Sequence, residues 1–228
     1  MIKSTPLIAA AVLLLCCGSV QAAIVVSPVV VDEYRVSKGT QFEITLFNPG
    51  PKPQIVNLDW GWYTLQTDGT VELTAEDDRA RDYLSVSERV CLLQPESSER
   101  ITVTVNKHDF TSISPVLFIS STETVIQTHV AVLFALSTAV PQKPLEAELL
   151  NRSRSGWQIS VTNSNPCHAY FGGEIEVYQN GEVVERKSIA PRLLLAESER
   201  QFILDIDPTA EQIVIRSGGL HCEIVLKP

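Results

Sequence analysis

The sequence predicts an all-β protein, and three observations carry that prediction. Apolar and polar residues alternate along most of the chain, Gly, Pro, Asn and Asp clusters interrupt the alternation at short intervals, and helical periodicity is nearly absent. The chain has 228 residues, with 27 acidic against 18 basic ones and a net charge of −9. That sign argues against nucleic acid or an anionic membrane surface as the main partner.

The first element is a leader. Lys3 supplies a positive start, Leu7 to Leu15 an apolar core and Val20-Gln21-Ala22 a small-residue cleavage pattern. Residues 1–23 therefore read as a signal peptide cut after Ala22 or Ala23. Cys16 and Cys17 end the apolar run, but Leu15 is too bulky for the small residue that precedes a lipidated cysteine.

Ile24 to Val31, Phe42 to Phe47, Ile55 to Tyr63, Val90 to Leu93, Ile101 to Val105 and Val116 to Ser120 read as strands. Asn48-Pro49-Gly50-Pro51, Asp68-Gly69 and Gln94-Pro95-Glu96 separate them as turns. Ala75 to Asp82 is charged and reads as a solvated loop with room for a helical turn. Thr124 to Val140, TVIQTHVAVLFALSTAV, is the most informative run. It is too long for an ordinary strand of about 5–6 residues and too short and polar for a membrane helix of about 20. A strand of that length can pair within its own sheet and still offer an edge to another polypeptide.

Two prolines in Pro141-Gln142-Lys143-Pro144 form a stiff joint and place a domain boundary there, giving domains 24–140 and 141–228. Beyond it, Leu145 to Leu150, Trp157 to Thr162, Tyr170 to Tyr178, Val183 to Ile189, Phe202 to Ile206, Ile213 to Arg216 and Leu220 to Leu226 give seven strands. Asn180-Gly181 and Ser217-Gly218-Gly219 are hairpin signals. Seven short strands suggest an immunoglobulin-like sandwich, and the first half has similar strand density.

Hydrolase, nucleotide and zinc-protease motifs are absent from the sequence, and the four histidines cannot be placed beside a nucleophile, so no enzymatic role is expected. Cys167 and Cys222 share the second domain and are expected to form a disulfide in an oxidising compartment. A zinc site from Cys167-His168 and His221-Cys222 is the weaker reading, because neighbours on a strand face opposite ways. Cys91 is left as a small buried apolar residue. Trp60 and Trp62 fall on one side of a strand, where core packing is favoured over a sugar-binding face.

Several separated patterns resemble the PapD-like periplasmic chaperones of chaperone-usher pilus assembly. They are VVSPVVVDEY leading through FEITLFNPGPKPQIVNLDW, Leu84-Ser85-Val86-Ser87-Glu88-Arg89 with Leu93-Gln94-Pro95 and Glu99-Arg100-Ile101, the Trp157 to Asn163 strand, and Leu194 to Arg200. Glu88 replaces the family's proline, and Glu96 and Glu197 replace glycines. The resemblance covers the whole mature chain and implies two tandem immunoglobulin-like sandwiches in a boomerang, working in the periplasm without a cofactor. It further implies binding of pilus or fimbrial subunits by donation of a β-strand, and delivery to an outer-membrane usher.

On this reading the even-numbered face of the long run, Ile126, Val130, Val132 and Phe134, supplies the knobs for the subunit groove. The alternative is that this face fills the protein's own core, with Ala131, Leu133 and Ala135 facing elsewhere. Studied family members anchor the subunit's terminal carboxylate with two basic residues, but the matching positions are Asp32 and Ala131 or Val132. This departure points to a divergent branch and leaves Arg35, Arg89 and His129 as candidate anchors. The rival reading is a structural or adhesive sandwich subunit of a surface appendage.

Overall fold

The computed structural model describes residues 24–75, 79–121, 129–217 and 222–226. The signal peptide expected over residues 1–23, and Ile126, lie outside them. Strands dominate because alternation gives each a wet and a dry face. The first domain holds β1 (Val25–Ser27), β2 (Val30–Tyr34), β3 (Gln41–Asn48), β4 (Gln54–Leu65), β5 (Val71–Ala75), a short helix α1 (Arg79–Tyr83), β6 (Leu84–Val86), β7 (Val90–Leu93), β8 (Ser97–Val105), β9 (Ser112–Ile113), β10 (Pro115–Ser121) and β11 (His129–Ser137). One sheet runs β1-β3-β8-β6. The facing sheet runs β2-β11-β10-β4-β5, with β7 on β4 and β9 on β11.

Sequence alternation becomes burial here: Ile44 and Leu46 of β3 face Ile101, Val103 and Val105 of β8 inward, against Leu117, Ile119, Val132, Phe134 and Leu136 of the other sheet. Each such side chain contributes roughly 1.5–3 kcal/mol by leaving water. Trp60 belongs to this core and lies 5.7 Å from Phe134, whereas Trp62 is half-buried and meets Tyr83 edge-on. Both tryptophans are packing residues. Gly61 lets β5 close on β4: a Cβ there would stand 2.2 Å from the Thr74 carbonyl oxygen.

The single strand expected over 24–31 is two strands. Pro28, in a cis Ser27–Pro28 peptide, has no N–H to keep a ladder going, and the chain crosses from the β3 edge to the β11 edge at that point.

The second domain contains β12 (Glu146–Ser153), β13 (Gly156–Asn163), β14 (Ala169–Gln179), β15 (Glu182–Leu194), β16 (Ser198–Leu204), β17 (Gln212–Ser217) and β18 (Cys222–Leu226). Its sheets, β12-β13-β16 and β15-β14-β17-β18, enclose a separate core around Trp157, Ile159, Val161, Phe171, Ile213 and Ile215. Asn180 and Gly181 both have positive φ, +52° and +77°, the tight turn expected between β14 and β15.

The expected Cys167–Cys222 disulfide is not formed. Cys167 is a buried free thiol. Register supplies the reason: Cys222 pairs with Ser217 two strands away from the middle of β14, while Cys167 precedes the start of β14. Strand rise and spacing put the two Cα atoms more than ~13 Å apart, past the ~7 Å reach of a disulfide. Cys91 is buried, as a small core residue would be, and burial raises its thiol pKa to about 11, with Glu88 and Glu99 adding to the shift.

Candidate functional site

β11 is an edge over part of its length. On one side β10 pairs with it from Ser120↔His129 to Val116↔Leu133. On the other, β2 runs parallel to it only from Val30↔Leu133 to Tyr34↔Ser137, with Leu133 N–H donating to the Val29 carbonyl at 3.0 Å. His129 to Val132 therefore have no second strand beside them among the described residues. Because the Leu133 N–H points to the β2 side, the N–H and C=O groups of Ala131 and His129, two and four residues back, point the same way and meet the open edge. Val130 and Val132 turn theirs to β10.

The side chains sort by the same period. Val132 and Phe134 are fully buried in the first domain's own core, and Val130 packs partly against it. This corrects the expectation that Val132 and Phe134 are knobs for another protein: both are already committed to this sandwich. The odd-numbered face is the outward one, with His129 exposed and Ala131 and Leu133 half-buried. Farther down that face Ala135 and Ser137 are buried where the second domain arrives.

The candidate anchors do not converge. Arg35, Arg89 and His129 are all exposed. Arg35 follows Tyr34 at the foot of β11, about eight residues or ~26 Å from His129. The Arg89 carbonyl bonds Leu58 N–H on β4, three strand spacings or ~14 Å from β11.

A polar junction that sequence reasoning missed joins the two domains at the foot of β11. The Tyr34 hydroxyl donates to the His168 carbonyl (3.1 Å), and its ring stacks on the His168 imidazole at 4.2 Å. The Tyr170 hydroxyl donates to Asp32 Oδ2 (2.8 Å), and Ser137 Oγ lies 2.8 Å from His168 Nδ1. Burial lowers the His168 pKa to about 4 against the pull of Asp32, so the ring is neutral at pH 7. Elsewhere Thr67 accepts a backbone bond from Gln201, and the joint is fixed by Asn165, whose Oδ1 accepts from Gln142 N–H and Lys143 N–H. Only the Asp32 position hinted at this junction in the sequence, through its failure to be basic.

Among the described residues no group of His, Cys, Asp and Glu could hold a metal ion, and no helix is long and apolar enough to cross a membrane.

No family model matches the chain, and no curated protein matches it in sequence. Solved structures do match in fold. One is a chain of a chaperone–tip-adhesin complex described as vital for activation of CFA/I fimbriae biogenesis; it is 11% identical with a TM-score of 0.62, over 91% of this chain and 100% of that one. Another is the class 5 fimbriae chaperone CfaA, 11% identical with a TM-score of 0.61, over 89% and 97%. A third comes from the CsuC–CsuE chaperone–tip adhesion subunit pre-assembly complex of the archaic Csu pili of Acinetobacter baumannii, 15% identical with a TM-score of 0.54, over 90% and 98%. The chain has the fold of the chaperone-usher fimbrial chaperones, two tandem immunoglobulin-like sandwiches.

Proposed function

We propose that this chain, built on the chaperone-usher fold, is a periplasmic chaperone that binds pilus or fimbrial subunits by lending them the edge of β11 and hands them to an outer-membrane usher. The open edge at His129 to Val132 supports this reading most directly. An incomplete sandwich in a subunit has unpaired backbone groups and an open apolar groove; an added strand satisfies the first and fills the second. Even-numbered residues from Val132 down already fill this protein's core, so of the candidate knobs Val130 is left on the described strand, with Ile126, which lies outside the described residues, as the other. Both sandwiches here close their own cores, which disfavours the rival reading of a subunit awaiting a donated strand.

The test is co-expression with the pilin-like product of a neighbouring gene. Ala131→Pro removes an N–H that β10 does not use, so an edge proline is tolerated in this domain but blocks strand addition. Subunit recovery should fall at least tenfold while the variant's melting temperature stays within a few degrees of wild type. Unchanged recovery with a folded variant would rule out strand donation at this edge.

A further inference from the structure

β5 has a neighbour on one side only. It pairs with β4 from Leu65↔Val71 to Gly61↔Ala75, and among the described residues no second strand lies along its other side. All five of its residues are exposed, Val71 at 41% and Leu73 at 45%. An unpaired edge that carries apolar side chains is a template for another strand.

The ladder to β4 fixes which groups that edge offers. Gln66 N–H donates to the Thr70 carbonyl at 2.9 Å, whereas Tyr63, which faces Leu73, donates its N–H away from β5, to the Ser114 carbonyl at 3.0 Å. Thr70, Glu72 and Thr74 therefore turn their N–H and C=O groups to the β4 side. Val71, Leu73 and Ala75 turn theirs outward. These are also the apolar residues of the strand, and their side chains share one face.

We propose that this edge is a contact surface for a second copy of the chain, joined antiparallel across a two-fold axis at Leu73. Two-fold pairing sets Leu73 opposite Leu73 and Val71 opposite Ala75, so every outward N–H meets an outward C=O and the apolar side chains lie side by side. Glu72 falls opposite Thr74. The smallest slip that keeps the hydrogen bonds is two residues, and it either sets Glu72 against Glu72 or carries Val71 past the end of its partner at Ala75. The side-chain pattern thus admits one register. Pairing of five residues buries far less than the ~1,200 Å² of a stable interface, so the association is weak and reversible. The net charge of −9 opposes it until salt screens the repulsion. No residue of the β11 edge takes part, and the proposal does not rest on strand donation.

Single cysteines test the pairing and its register together. Facing Cα atoms in a hydrogen-bonded antiparallel pair stand ~5.5 Å apart, inside the span of a disulfide, so Leu73→Cys should link into a covalent dimer under mild oxidation. Val71→Cys, about as exposed, would stand ~14 Å from its own copy and should not link. The wild type, run beside them, sets the background from the native cysteines. Sedimentation of the wild type should show a concentration-dependent dimer that strengthens from low to moderate salt. Leu73→Lys, which sets two like charges face to face at an exposed site, should weaken that dimer at least tenfold while its melting temperature stays within a few degrees of wild type. Leu73→Cys linking no faster than Val71→Cys, or a wild type that sediments as a monomer at roughly 1 mM, would overturn the proposal. So would β5 amides that become protected only when a subunit is bound, which would give this edge to that partner instead.

Discussion

Glu96 and Glu197 occupy the same strained backbone state, with φ of +53° and +50°. Each precedes a serine whose hydroxyl donates back to a carbonyl, Ser97 to Gln94 and Ser198 to Leu195, both at 2.8 Å. The glycines of the family resemblance are lost, but the conformation that favours glycine is kept. Glu96→Gly and Glu197→Gly should each stabilise the chain by about 0.5–1 kcal/mol, measured as a shift in the urea midpoint. Asn48 and Asn163 repeat the theme: both are 0% exposed and end a strand. Asn48 Nδ2 donates to the Lys52, Leu93 and Gln94 carbonyls, and Asn163 Nδ2 to those of Cys167 and Leu195. Asn163→Ala strands several buried groups and should cost about 3 kcal/mol or more. His168 gives a pH signature. Unfolded chains take up its proton near 6.5 and the folded chain near 4, so its stabilising effect is complete above pH 6.5 and is lost as pH falls toward 4. Comparing urea midpoints at pH 7 and 4.5 should show a loss of up to about 3 kcal/mol that His168→Gln lacks.

At the scale of elements, alternation made most strands legible, because a half-buried strand must repeat every two residues. β5 alternates as well, Val71-Glu72-Leu73-Thr74-Ala75, but both its faces are exposed, so its period marks no core and so short a run does not stand out as a strand. The charged segment before β6 ends in a short helix whose Ala80 is buried, a tertiary contact invisible in local composition. In β11 the period was readable but not its destination. Which face meets the domain's core depends on the facing sheet, so Val132 and Phe134 could be assigned only once that sheet was in place. That the upper edge has no second strand among the described residues follows from β2 starting its pairing at Leu133, which no pattern within β11 reveals.

For the whole molecule, the two-sandwich organisation was legible from strand count and from the proline joint between β11 and β12. The junction was not, since Tyr34 and Tyr170, or Asp32 and His168, meet only through tertiary structure. The same limit misled the cysteine pairing: shared domain membership says nothing about register. The paired corners at Asn48 and Asn163 show two domains built to one plan although no repeat is visible in the sequence. The proposed function rests on a stretch of edge left without a second strand among the described residues, the top of β11. Amide hydrogen exchange, resolved by residue in the free chain and in its complex with a subunit, tests that most directly. Alternation predicts that His129 and Ala131 exchange fast when free and become protected in the complex, while Val130 and Val132, bonded to β10, are slow in both. A bound subunit that leaves His129 and Ala131 exchanging at their free rates would contradict strand donation.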